Sequence, residues 1–360
     1  MDLSEQPKGL LKSAPDRPLA NARGSVSPAE SSRPLPSRDR EGAVQRGFQQ
    51  VPKAELHLHL EGSLEPETLL ELEPSLTRAE IDARYRYADF AGFIESFIWV
   101  VSHLRAPEDY ALATRRLLER LARENVRYAE ITLGAGMLLT RNRPVEDVYE
   151  AVWEESRKSS VTVRWILDAI RQLGAEHAMA VAELAAERVG QGVVGFGIGG
   201  NEARGPVEWF AEVFEFARSR GLHLAIHAGE TVGPESVWGA LRWGAERIGH
   251  GIRAAEDPAL LACLRERDIP LEICISSNLA TGAVASLQEH PIRRIHDAGV
   301  PIVLNTDDPA MFHTTLEREY ELAARQFGFT EEELRGVIRN GFRYAFAGGT
   351  DFPVCVPESG

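Results

Sequence analysis

Cysteine is scarce in this 360-residue chain: Cys263, Cys274 and Cys355 are its only thiols, and they stand far apart. An odd, scattered set forms neither a disulfide framework nor a zinc ribbon. Any metal must then be held by histidine and carboxylate, and a reducing compartment, the cytoplasm, is expected. Positive charge is also short, with 40 Lys and Arg against 54 Asp and Glu, a formal charge of −14. Nucleic acid and anionic membrane call for clustered basic residues, so neither is expected as a partner. No run is long and apolar enough to span a bilayer. The nearest, residues 90–104, is short and carries Glu95 and His103, which suits a buried amphipathic helix. A glycine-rich phosphate turn is missing too, since the first strand ends in HLHLEGS rather than GxGxxG.

What remains is ordinary globular material, 44% hydrophobic and 26% charged. Residues 1–48 differ: Ser, Pro, Arg and Gly dominate, without hydrophobic periodicity. Such a segment cannot bury enough apolar area to offset its ordering entropy, and it lacks the apolar core of a secretory signal. A disordered extension is expected there, then a folded domain over 49–352 and a tail over 353–360.

From Val51 onward, short β-rich runs alternate with helical patterns. Strands are expected at 54–60, 126–133, 162–168, 193–198, 223–228, 247–250, 271–275 and 301–305. Helices are expected at 108–124, 145–159, 175–190, 206–220, 235–245, 257–267, 288–298 and within 315–346. Eight strand–helix units are the arithmetic of a (β/α)8 TIM-type barrel in the α/β class. The stretch 64–124 is too long for one helix and must hold a helical insertion after strand 1. Phe90, Phe93 and Phe97 share one helix face there; packing under the rim is the plain account, and Phe93 and Phe97 in a lid over a ligand is the functional one.

Catalytic groups of such barrels gather at the C-terminal strand ends, and polar residues pile up there. His57 and His59, one residue apart on the first strand, point to the same face. The fifth strand ends in His227 before Ala228-Gly229-Glu230, the sixth in His250, and the eighth runs into Asp307-Asp308-Pro309. His57, His59, His227 and one of the two aspartates make a donor set that suits Zn²⁺. His250 can orient or deprotonate a water, and Glu230 can shuttle a proton. A pair of satisfied histidines and a surface DDP turn are the plainer alternatives. The fourth strand ends in GIGGNE (197–202), where little side chain keeps a ligand from the backbone. His223 is expected to be structural, at the barrel bottom, and His103, His177, His290, His296 and His313 receive no role.

Together, HLHLEGS at 57–63, HAGE at 227–230, RIGHG at 247–251 and LNTDDP at 304–309 resemble the adenosine deaminase family of the amidohydrolase superfamily. The resemblance covers Val51 to about Phe346 and implies a (β/α)8 barrel with one zinc. It implies that His57, His59, His227 and Asp307 hold the metal, and that Glu230 protonates N1 of a 6-aminopurine as hydroxide attacks C6. His250 would position the hydroxide, Asp308 would hydrogen-bond N7 and help orient the water, and Gly200 would offer its N–H to N3.

Adenosine-specific members resemble HxHLDG after the metal pair, with the aspartate on the ribose; here Glu61 stands in that place, as in relatives acting on adenine or aminodeoxyfutalosine. The segment around Gly200 usually resembles DxAGDE, and here Gly197, Gly199 and Asn201 depart from it. The runs 227–238 and 125–139 look most similar to aminodeoxyfutalosine deaminases of bacterial menaquinone synthesis, whose substrate carries a benzoate-bearing extension at the ribose 5′ carbon. The expected partner is thus a small 6-aminopurine nucleoside: aminodeoxyfutalosine first, then adenosine, then adenine. A two-metal cyclic amidohydrolase would need a lysine at the end of the fourth strand, and 193–200 holds none. A catalytically silent binding barrel would be expected to have lost a ligand or the acid, and every position is filled. Oligomeric state is not legible.

Overall fold

A computed structural model of the protein describes residues 48, 50–87 and 89–347. The expected extension, apart from residue 48, and the tail lie outside the described residues, as does the whole of a separate unit over Met1–Pro36. Among the described residues no helix is long and apolar enough to cross a membrane.

Strand β1 (Lys53–His59) is followed by four helices, α1 (Pro66–Leu72), α2 (Arg78–Arg84), α3 (Phe90–Val101) and α4 (Pro107–Arg123). Then come β2 (Val126–Leu133), α5 (Ala135–Thr140), α6 (Val145–Ser156), β3 (Thr162–Ile170), α7 (Ala175–Glu187), β4 (Val193–Gly199) and α8 (Ala211–Ser219). They are followed by β5 (His223–Ala228), α9 (Pro234–Arg242), β6 (Arg247–His250), α10 (Pro258–Glu266) and β7 (Leu271–Ile273). The chain closes with α11 (Ile275–Ala280), α12 (Ile292–Asp297), β8 (Ile302–Leu304), α13 (Leu316–Phe327) and α14 (Glu331–Arg343).

The eight strands are parallel and paired in chain order, the α/β arrangement of a (β/α)8 barrel. Strands covered on both faces lose the apolar–polar alternation, and β2 is buried at seven of its eight positions. The surrounding helices keep one apolar face: Tyr110, Ala113, Leu117, Leu118 and Leu121 of α4 are all buried.

The seam between β8 and β1 is closed largely by side chains. Asn305 Oδ1 accepts from the Leu56 N–H at 2.8 Å and the His57 N–H at 3.2 Å, and Glu55 Oε1 accepts from the Thr306 N–H at 3.0 Å. At the top of the seam the Asp307 N–H donates to His57 O (3.0 Å), and the His59 N–H donates to Asp307 O (2.8 Å). Asp307 therefore stitches first strand to last through its own backbone.

At the other end of the barrel, Phe346 lies between His223, stacked at 4.4 Å, and the Arg247 guanidinium, 3.5 Å from the ring centroid. Arg247 is buried between the carboxylates of Glu130 and Glu272, which supply the compensation a buried cation needs. His223 is structural here, as its position suggested.

Most element ends shift by one to five residues from the sequence expectation, and two differences change the element type. The run 271–275 is strand only to Ile273, because Ile275 opens α11. A short α5 intervenes after β2, where no helix was expected. The insertion reaches the segment after β8: Tyr87 Oη donates to Met311 O at 2.6 Å, and the Phe93 and Phe312 rings lie 5.0 Å apart.

Candidate active site

Four side chains from four strand ends converge at the mouth. His57, His227, His250 and Asp307 each offer one ligand atom, and those atoms lie within 4.8 Å of one another. His59 stands at the edge of this group, with Nε2 at 3.3 Å from Asp307 Oδ1 and its ring centroid 5.4 Å from that of His57. The structure thus brings all four expected ligands together at Asp307, and adds His250 to the tightest set.

The donor chemistry fits a cation. His57 Nε2 and His227 Nδ1 are buried without a hydrogen-bond partner, a costly state for lone pairs unless something else binds them. His57 Nδ1 meets Glu272 Oε2 at 2.9 Å, the outer carboxylate contact usual for a metal-binding histidine. Burial holds His59 down at about 4 and His227 well below its usual range, so both rings are neutral, the ligating form. At His57 burial opposes the charge, yet Asp307 and Glu272 outweigh it and raise the ring to about 10. Against the same burial, the surrounding histidines keep Asp307 ionised, well below the usual carboxylate range.

Asp307 (φ +64°) and His250 (φ +59°) both occupy the left-handed region, where non-glycine residues are uncommon and functional sites are over-represented. Ser277 Oγ donates to Asp307 Oδ2 at 2.6 Å. Asp308 is also buried; desolvation and the adjacent Asp307 charge push its carboxyl well above the usual range, and its Oδ1 has no partner. A Cβ on residue 62 would lie 1.7 Å from that oxygen, so the glycine of HLHLEGS makes room for Asp308.

Glu230 Oε2 lies 3.8 Å from His250 Nε2, and burial raises its carboxyl above the ordinary range. Its loop is held by Glu202, just after β4, whose carboxylate accepts from the N–H groups of Gly229 (2.5 Å), Glu230 (3.2 Å), Thr231 (2.9 Å) and Val232 (3.0 Å). The hydroxyls of Ser236 and Thr231 also donate to it. Arg171 secures the same segment from the other side, with Nη2 2.6 Å from His227 O.

Gly200 has φ +98°, and a Cβ there would meet Gln172 Oε1 at 2.5 Å, so only glycine fits. The neighbouring glycines have another use than the sequence suggested. A Cβ on Gly197 would come within 2.7 Å of Asp168 Oδ1, so Gly197 and Gly199 leave space for a buried carboxyl rather than for a ligand alone. Asp168, pushed up to about 7 by burial, lines a small cavity with His57, Thr132, His227 and Glu272. Glu61 is buried, accepts from the Gly134 N–H at 2.9 Å, and is likewise raised to about 7 by burial. Phe93 is buried and Phe97 partly so, packed on each other at 5.9 Å, and Phe93 meets the Phe312 ring at 5.0 Å.

Sequence reasoning gave no role to Asp168, Arg171, Glu202, Glu272 or Asn278. A signal did exist for Asp168 and Glu272: each is the lone acid of its strand, and a buried charge requires a partner. Glu202 and Arg171 follow strand ends and looked like ordinary loop residues.

A family model described as Adenosine deaminase matches residues 52–351. An aminodeoxyfutalosine deaminase of Streptomyces coelicolor is 42% identical over 312 residues, covering 82% of this chain and 80% of its own length. An adenine deaminase of Rhizobium leguminosarum bv. trifolii is 38% identical over 306 residues, covering 82% and 95%. Among solved structures, an amidohydrolase from Burkholderia ambifaria with bound zinc superposes with a TM-score of 0.79 at 26% identity, covering 89% of this chain and 91% of its own.

Proposed function

The chain belongs to the adenosine deaminase family, and from that premise we propose that it hydrolyses the 6-amino group of aminodeoxyfutalosine, releasing ammonia. It is a hydrolase acting on the C–N bond of a cyclic amidine. The observation that carries the reading is Glu230, whose carboxyl burial raises above its ordinary range, 3.8 Å from His250 in the histidine–aspartate cluster at the barrel mouth.

His57, His59, His227 and Asp307 would hold one divalent cation, and three imidazoles with one carboxylate suit zinc. When bound, the ion lowers the pKa of water towards neutrality. Glu230 gives its proton to purine N1, which makes C6 an acceptor for the incoming oxygen. His250 directs Nε2 at that oxygen. Asp308, its carboxyl raised well above the usual range by desolvation and the Asp307 charge, hydrogen-bonds N7, and the Gly200 N–H meets N3. As the C6–N bond breaks, the amine leaves with a proton as ammonia and C6 keeps the water oxygen.

Two features support the substrate. Glu61 stands where a ribose-contacting carboxyl is needed, and the cation acting on it is Arg141, just after α5. Arg141 is half-buried against the end of α3, with Nη2 3.4 Å from Ile98 O; among the described residues no carboxylate pairs with it. A 5′ extension ending in a carboxylate would pass Glu61 and meet that guanidinium, between α5 and the insertion containing Phe93 and Phe97. Neither adenosine nor adenine, the next two candidates, has a group to offer it.

The test is ammonia release from aminodeoxyfutalosine, adenosine and adenine side by side. Aminodeoxyfutalosine should show the highest kcat/KM, and Arg141→Ala should lower that value about tenfold while leaving adenosine within about twofold, roughly 1.4 kcal/mol of selective binding. A higher value for adenosine would defeat the substrate reading. Glu230→Gln should keep its metal and lose several orders of magnitude in turnover; undiminished turnover would remove Glu230 from the chemistry, and a wild-type protein that binds these purines without releasing ammonia would be a silent binding barrel.

A further inference from the structure

His250 can serve either as a proton acceptor or as a hydrogen-bond donor, depending on which ring nitrogen carries its proton. We infer that a relay through His290 and Asn278, anchored on the Ile292 backbone, fixes neutral His250 as the Nε2–H tautomer, so that it donates into the site.

The relay starts at a group with one possible role. Ile292 opens α12, so its N–H has no partner within the helix and can only donate. It donates to His290 Nδ1 at 3.2 Å. His290 must therefore keep a lone pair on Nδ1, which makes the ring neutral and leaves its single proton on Nε2. That Nε2–H faces the Asn278 side chain at 3.2 Å, so the atom it meets has to be the amide oxygen. The amide nitrogen is thereby turned to His250 Nδ1, 3.1 Å away. An NH₂ group donates, Nδ1 accepts, and the one proton of His250 is left to Nε2, which points towards Glu230 Oε2 (3.8 Å) and Asp307 Oδ2 (3.9 Å).

Each step follows from the one before, and neither the amide orientation nor the tautomers need be assumed. His250, Asn278 and His290 are all buried, so no solvent stands ready to replace a link. A proton on His250 Nδ1 would point at the N–H bonds of Asn278. His250 thus stabilises negative charge on the oxygen approaching C6 and is not the base. Asn278 and His290 are positioning residues that act through it. The inference rests on the reading that His250 faces the reacting oxygen.

The experiment combines nitrogen NMR with kinetics. In protein labelled with ¹⁵N-histidine, with and without zinc, His250 is identified by the signals missing from His250→Gln. Wild-type protein should show a pyrrole-type Nε2 and a pyridine-type Nδ1; the reverse would overturn the relay. Asn278→Asp offers only acceptors to both rings and should invert His250 to Nδ1–H. With whichever of adenosine, adenine or aminodeoxyfutalosine the wild type deaminates, kcat should then fall about 100-fold or more, with KM within about threefold and zinc content unchanged. Unchanged kcat, or a loss with the wild-type tautomer intact, counts against the relay. Should Asn278→Asp not fold, His290→Gln, which still supplies an N–H, should keep the tautomer and most activity, whereas His290→Leu should lose both; equal behaviour of the two would overturn the proposal. The spectra are recorded without substrate, so a wrong substrate assignment leaves them standing.

Discussion

His57 Nδ1 lies 2.9 Å from Glu272 Oε2, and the other oxygen of that carboxylate lies 2.5 Å from Arg247 Nε. One buried acid therefore orients a proposed metal ligand and balances the Arg247 cation at the start of β6. Glu272→Gln would turn an NH₂ group against one of those neighbours. The expected result is a 10- to 100-fold weaker affinity for zinc, measured by chelator competition, with a loss of about 3 kcal/mol in denaturant unfolding.

Chelation tests the cluster as a whole. Removal of metal should abolish ammonia release, and zinc should restore it. Free zinc at 100 times its dissociation constant should stabilise the fold by about 2.7 kcal/mol, read as a rise of several degrees in Tm. A Tm indifferent to zinc would show that the ion does not bind the folded cluster.

Glu202 gathers six hydrogen bonds from the loop that carries Glu230 and from the start of α9. In Glu202→Gln, only one oxygen remains for donors that now meet two. Displacement of Glu230 by even 1 Å should cost about 100-fold in kcat. Zinc content by elemental analysis should be unchanged, and wild-type kcat would show that the loop holds without the charge.

Glu55 is fully buried beside Thr306, and desolvation raises its carboxyl from 4.5 to about 7. The folded state thus binds more protons than the unfolded chain between those values, and stability falls as pH rises through the window. The contribution is present in full below about pH 4.5 and gone above about pH 7, an upper bound of roughly 3 kcal/mol. Glu55→Gln should flatten that slope in unfolding free energies measured from pH 5 to 8. An unaltered slope would assign it to other carboxyls.

Part of the site could be read from the chain because some of its groups are close neighbours in sequence. His57 and His59 are separated by one strand residue, which puts both on one face, and His227 stands at the end of β5 three positions before Glu230. The supporting groups were hidden because each joins segments remote in sequence: Glu272 lies 215 residues from His57, and Arg247 lies 117 from Glu130. The end of β7 was illegible for another reason. In LEICI the apolar run continues from strand into helix, and periodicity cannot separate the two over five residues. Gly197 was read as access for a ligand, since a missing side chain does not reveal what fills the space it leaves.

The seam at Asp307 has a consequence for how the protein is made. His57 is synthesised about 250 residues before the aspartate whose backbone joins β1 to β8. A nascent chain that has emerged only through β7 owns all three proposed ligand histidines but neither the carboxylate nor the closed ring. Full coordination of the proposed ion would thus wait for the last strand, since a partial chain could offer it imidazoles alone.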